Sequence, residues 1–344
     1  MAVPGAATAG GGRARRHEYG AATLDPGASV PHSDADLIAA LRFDPEQGTV
    51  IRTPPGAGYG YWAGGHKVTH DPESGRFVLF HRERTPLERG RGGACAVSVS
   101  DDGLTFEEVW RADKDELAAS SIEVGHVVRH GDRWRLYVSY ERPAQRDWRI
   151  DVLEADDPSE FVAQHRRTVL QPQEFGLSFI KDPWVLPRAD GGVDLYAAIP
   201  SRRGPRTEGD VIHIGGDDAT VRATSADGLI FRSLEHVLEA EGGDTWDGHR
   251  GRLDSLFRAD GRWVGFYSGG RTMYDNYEEP AGVVVGDDPS SLRRITVDGP
   301  LVTSPHGCVR YLWGLPVGDR LFVYYESTRA DASHDLRVSV LPLP

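Results

Sequence analysis
The chain has 344 residues, 39% of them hydrophobic, and a formal net charge of -13. That is enough apolar material for one large domain or two ordinary ones. The acidic balance excludes a non-specific binder of nucleic acid or anionic membrane, and no apolar run reaches the length of a membrane span.

The first 32 residues open with MAVPGAATAGGGRARRHEYG. No apolar stretch follows the charges, so this is not read as a secretory signal. The composition predicts a disordered arm across 1–32, followed by one domain across 33–344. The segment DADLIAALRF (34–43) reads as one short helix, with Ser33 or Asp34 as its cap. GTVIRTP (48–54) reads as a lone strand.

From there on one strand type recurs. GRFVLFHRE starts at Gly75, DRWRLYVSYE at Asp132, GGVDLYAAI at Gly191, GRWVGFYSGG at Gly261 and DRLFVYYES at Asp319, at spacings of 57 to 70 residues. Each alternates apolar with polar residues and follows a Gly or Asp turn. Two other motifs repeat at about twice that spacing. SDDGLTF (100–106) returns as SADGLIF (225–231), and ADDPSEF (155–161) returns as GDDPSSL (286–292). Each unit holds roughly four strands and no helix. One such unit cannot bury its own faces, so the repeats must pack on one another. The expectation is an all-β, five-bladed β-propeller, with four-stranded antiparallel blades around a central channel. The blades fall near 58–118, 119–173, 174–240, 241–300 and 301–344. The last is one strand short, and the strand near 48–54 supplies it.

In a propeller the first strand of each blade lines the channel. Counting back from the turns aligns Glu123, Asp182, Arg252 and Arg310, with His66 in the first blade. Lys181, His126, Asp247, His249, Arg250, Asp254 and His306 lie within a few residues of that ring. Each has a structural alternative. Asp182 before Pro183 is a common way to begin a strand. Glu123 has arginine partners available in Arg250 and Arg252. His66 and His306 fit satisfied core histidines. The glycine-rich GAGYGYWAGG (56–65) has no helix after it and is no phosphate loop. It is expected to form a mobile rim in which Trp62 and its tyrosines stack on a ring. TMYDNYEEP (272–280) reads as a second rim loop. Cys95 and Cys308 are too few for a disulfide framework and show no zinc spacing, which suits inert thiols in a reducing cytoplasm. No cofactor or metal is expected; a channel metal on His66, Glu123, Asp182 and His306 has no ligand spacing behind it.

The repeats IKDPWVL, SADGLIF and GRWVGFYS resemble those of the five-bladed propeller glycosidases, glycoside hydrolase families 43, 32, 68, 117 and 130. The resemblance covers nearly all the chain after about residue 55. It implies a carbohydrate-active enzyme with a small sugar or sugar-like substrate, and the cytoplasmic location expected from the thiols and the N-terminus fits a reaction that uses phosphate. It also implies three carboxyl groups on inner strands: a base or nucleophile in blade one, an orienting Asp before Pro in blade three, and a general acid in blade four. Asp182 matches the blade-three position. Blade one offers His66 and no carboxylate, and blade four offers Arg252 with Asp247 and Asp254 nearby. The expected catalytic set is therefore Asp182, Glu123, Asp254 and Asp247. The expected substrate-binding set is His66, Trp62, His126, Lys181, Arg250, Arg252, Arg310 and His306. Three reactions stay open: hydrolysis by a rearranged acid pair, phosphorolysis in which a basic pocket holds the phosphate, and a biosynthetic or sugar-binding role on the same fold. An anionic substrate fits the second.

Overall fold
A computed structural model describes residues 33–202, 207–208, 211–212, 218–275 and 277–344. The expected arm at 1–32 lies outside the described residues. Helix α1 (Asp34–Leu41) is capped by Ser33, whose hydroxyl accepts the Asp36 N–H at 3.2 Å. It buries Leu37 and Leu41 in the apolar cluster between blades four and five.

The strands form five antiparallel groups. Blade one is β2 (Trp62–His70), β3 (Phe77–Arg84), β4 (Gly92–Ser100) and β5 (Glu107–Asp113). Blade two is β6 (Ser121–His130), β7 (Arg133–Arg142), β8 (Asp147–Ala155) and β9 (Arg167–Leu170). Blade three uses β10 (Lys181–Pro187) and β11 (Val193–Pro200), then β14 (Asp218–Ser225) and β15 (Glu235–Leu238). A small ribbon, β12 (Thr207–Glu208) and β13 (Val211–Ile212), interrupts it. Blade four is β16 (Arg252–Ala259), β17 (Arg262–Ser268), β18 (Ala281–Asp288) and β19 (Ser291–Arg294). Blade five has β20 (Val309–Val317), β21 (Arg320–Thr328) and β22 (His334–Pro342), and its fourth strand is β1 (Thr49–Arg52), which pairs with β22. The N-terminal and C-terminal ends of the domain thus share one blade and close the ring. A parallel bridge from Trp62 to His334 further ties blade one to blade five.

The core lies between blades. One apolar cluster joins blades one and two through Phe80, Val97, Trp134 and Leu136; another joins blades two and three through Ile150, Leu195 and Val221. The repeated turns explain part of this stacking. In SDDGLTF, Ser100 Oγ accepts the Gly103 N–H at 2.9 Å and Asp102 accepts the Leu104 N–H at 2.8 Å. In SADGLIF, Ser225 and Asp227 repeat both bonds, at 3.0 and 2.9 Å. Gly103 and Gly228 sit at φ 73° and 68°, where a side chain is disfavoured. Each turn then receives a tyrosine from the preceding blade. Tyr324 donates to the Gly103 carbonyl at 2.9 Å, and Tyr137 to that of Gly228 at 2.8 Å. Tyr196 donates likewise to Pro289 in the DDPS turn of blade four, at 3.3 Å.

All five innermost strands break register at one level. The shifts fall between Gly64 and Lys67, Ile122 and Gly125, Lys181 and Trp184, Leu253 and Ser255, and Arg310 and Trp313. A bulge turns a side chain away from the sheet's normal alternation, here at the channel wall. Gly65, Asp182 and Tyr311 occupy equivalent bulge positions with φ of 58°, 57° and 55°. For Asp and Tyr that backbone carries a strain of order 1–3 kcal/mol.

Candidate active site
The bulge ring carries Gly65 from blade one, Glu123 from blade two, Asp182 from blade three, Asp254 from blade four and Tyr311 from blade five. Three neighbouring blades therefore present an acid at one level. Arg252 and Arg310 do not hold equivalent positions: they precede their bulges by two residues and one. They still reach the site.

The three acids sit in different surroundings. Glu123 is clamped by Arg82 at 3.0 Å and Arg84 at 3.7 Å. Burial would raise its pKa, but Arg82, Arg84 and nearby cations outweigh it and hold the carboxyl at about 2. Asp182 is buried, and among the described residues neither carboxyl oxygen has a hydrogen-bond partner. Its backbone N–H is held by Ser139 of blade two at 3.1 Å, and Arg252 stands 3.7 Å from its carboxylate. Asp254 accepts a 2.5 Å hydrogen bond from Ser268 and lies 3.5 Å from the same Arg252. Burial pushes the Asp254 pKa up, and the Asp182 charge adds to the effect. One guanidinium thus sits between an acid with unbonded oxygens and an acid whose pKa is raised by burial.

Lys67 lies beneath this pair. Its Nζ donates to the Asp254 carbonyl at 2.7 Å and rests 4.8 Å over Trp313. Burial lowers its pKa to about 8, against the pull of Asp254. Trp184 and Trp313, edge to face at 5.8 Å, form the floor with it.

Around the acids runs a shell of buried ion pairs. Glu279 binds Arg250 at 2.6 Å, Arg310, and Arg252 at 3.6 Å. Burial opposes its ionisation, but the three arginines leave its pKa far below the usual range. Glu326 binds Arg310 at 2.5 Å and His334 at 2.7 Å. Arg250 also pairs with Asp218 at 2.7 Å. Arg252 stacks on Tyr311 at 4.2 Å.

Several expected residues take other places. Asp247 leaves the ring: it accepts from Tyr267 at 2.7 Å and pairs at 2.7 Å with Arg294 of the outermost strand, so it braces blade four. His126 lies below the floor, where its Nδ1 accepts the Val185 N–H at 3.0 Å. His66 is fully buried beside blade five, and burial lowers its pKa to about 3. His306 is exposed in a turn, its N–H bonded to Ser304. Trp62 is no free rim platform. It is 1% exposed, stacked on His334 at 4.7 Å and covered by Arg84 and Arg310. Lys181 remains at the mouth, over Trp148 and Phe179. The expectation that Arg250 and Arg310 bind an anion meets the fact that both already pair with buried carboxylates.

Counting back from the turns covers first strands only and so misses Arg82, Arg84 and Glu326, which come from second strands. A signal existed. Arg82 and Glu326 each stand opposite the residue before a bulge, at the charged ends of HRE and YYES. Glu279 lies within the rim loop at 272–280, where the sequence carries no sign that it turns inward.

No family model and no curated protein matches the chain. Solved structures do. A thermostable family-43 glycoside hydrolase aligns at 15% identity with a TM-score of 0.60, over 85% of this chain and 91% of its own. An endo-arabinase from Bacteroides thetaiotaomicron aligns at 13% identity and a TM-score of 0.58, over 87% and 98%. A beta-1,2-mannobiose phosphorylase from Listeria innocua aligns at 15% identity and 0.57, over 88% and 96%. What this chain shares with all three is the five-bladed propeller fold.

Proposed function
We propose that the protein is a carbohydrate-active enzyme that cleaves or transfers a glycosidic bond at the polar end of the channel. Asp254 is the proton donor, and Asp182 is the carboxylate that receives the sugar and holds the Asp254 proton in place. The observation that carries this reading is Asp182: a buried carboxylate with two unbonded oxygens, on strained backbone, at the channel wall. Such a group costs several kcal/mol unless something bonds to it, and sugar hydroxyls supply those bonds. Glycoside cleavage needs a proton for the leaving oxygen, and a buried carboxyl whose pKa is raised beside a second acid provides the donor. The likeness in fold to glycoside hydrolases and a mannobiose phosphorylase supports the substrate class. The two buried free thiols agree with a reducing cytoplasm.

One observation favours phosphorolysis over hydrolysis. Gly65 stands at the blade-one bulge, where the resemblance puts a base or nucleophile, and Glu123 is neutralised by two arginines. An external anion is then the natural nucleophile, with Arg252 and Lys181 on its path. The test is sugar release from a panel of glycosides, with and without inorganic phosphate. Release that needs phosphate selects phosphorolysis, release without it selects hydrolysis, and no release from any glycoside in either condition overturns the proposal.

A further inference from the structure
Beside the channel, between blades four and five, three unlike donors converge. Glu278, Cys308 and His334 place a carboxylate oxygen, a thiol sulfur and an imidazole nitrogen within 4.8 Å of one another. The Thr328 hydroxyl lies 3.2 Å from Cys308 Sγ, from His334 Nε2 and from Glu278 Oε2. His334 and Cys308 are buried, while the Glu278 side chain is about one-third exposed.

We infer that Glu278, Cys308 and His334 form a binding site for a zinc-class divalent ion. The donor chemistry argues for such an ion over calcium or magnesium, which prefer oxygen alone. Tetrahedral bonds of about 2.0–2.3 Å put neighbouring donor atoms roughly 3.3–3.8 Å apart. His334 Nε2 and Glu278 Oε1 already stand 3.4 Å apart. The remaining contraction is at most about 1–1.5 Å, within reach of side-chain rotation. Thr328 supplies a fourth oxygen or gives way to water. Metal-bound imidazoles carry a carboxylate on their other nitrogen, which fixes ring and tautomer. His334 has it: Glu326 lies 2.7 Å from Nδ1. A cavity of about 370 Å³, lined in part by Glu278, Ser304, Gly307 and Cys308, reaches two of the three donors from outside.

The site would join two parts of the fold. Glu278 belongs to the loop that sends Glu279 onto the channel arginines. Glu326 bonds both His334 and Arg310, and lies 3.3 Å from the Gly65 N–H of the bulge ring. A bound ion would fasten that loop to blade five.

The experiment titrates the full-length protein with cobalt and, separately, with zinc. The expected results are one ion per chain, a thiolate-to-cobalt charge-transfer band, and a rise in melting temperature with zinc. Cys308→Ser should lose the band, and Glu278→Gln should weaken zinc binding tenfold or more. Glu278 is partly exposed, so its variant remains decisive even where Cys308→Ser fails to fold. Absence of the band, binding that is not stoichiometric, or zinc affinity unchanged in a folded variant would overturn the assignment.

Discussion

Glu279 offers the sharpest test of the ion-pair shell. Replacing it with glutamine keeps its shape and removes the one charge shared by Arg250, Arg252 and Arg310. Taking one partner from a buried ion pair costs about 3–5 kcal/mol, because the remaining charge is left uncompensated. Here each arginine keeps a second partner: Asp218 for Arg250, Glu326 for Arg310, and Asp182 with Asp254 for Arg252. The loss should therefore lie near the lower end, about 3 kcal/mol. At about 2.1 cal/mol/K per residue, a chain of 344 residues has an unfolding entropy of about 0.7 kcal/mol/K, so its melting point should fall by about 4 °C. The pH dependence gives a second reading. The folded pKa of Glu279 lies far below its ordinary 4.5, so its stabilisation is complete above that value and is lost as the pH falls below it. Calorimetry at neutral pH should show the full gap between wild type and Glu279→Gln, and the gap should narrow below about pH 4.5. An unchanged melting point at pH 7 would refute the claim that these arginines depend on Glu279.

Other expectations follow from the same structure. Gly65→Ala puts a side chain at φ 58° with its Cβ 2.9 Å from Arg82 Nε, so it should cost about 1–3 kcal/mol in denaturant unfolding. Tyr324→Phe leaves the Gly103 carbonyl without its donor and should cost about 1–3 kcal/mol by the same measurement; a neutral result would remove the latch. Deleting residues 1–54 takes away α1 and β1, exposes the edge of β22, and should yield a less stable, association-prone protein by light scattering.

The repeat of turn and strand was legible because a Gly or Asp turn precedes each apolar, aromatic-rich second strand. GRFVLFHRE and DRLFVYYES are buried on both faces rather than on one, so what marks them is an apolar run and not the expected alternation. The repeated SDDGLTF and SADGLIF turns were legible because Ser, Asp and Gly must stand at fixed offsets to make the same two bonds. The site was less legible. Counting from the turns treats inner strands as regular, whereas each carries a bulge. Blade four has one unpaired residue fewer in its bulge and one paired residue fewer between bulge and turn than blade two, a shift of two. That puts Arg252 in the ring and Asp254 beside it, the reverse of the structure. Asp247 looks channel-bound from its neighbours in WDGHRGRLDS, and only the outer-strand partner Arg294 shows otherwise. The second-strand charges Arg82 and Glu326 do recur at one offset from their turns, but a count of first strands alone passes over them; Glu279 in the 272–280 loop leaves no periodic trace.

The assignment of Asp254 as proton donor and Asp182 as the sugar-holding carboxylate is tested by comparing Asp182→Asn and Asp254→Asn with wild type. The assay uses one glycoside that the protein turns over, with poor and activated leaving groups. A lost general acid typically costs about 100-fold to 10,000-fold in rate. Asp254→Asn should lose that much on the poor leaving group and recover on the activated one, which needs no proton. Asp182→Asn should be slow on both. Wild-type rates in Asp182→Asn would contradict this division of roles.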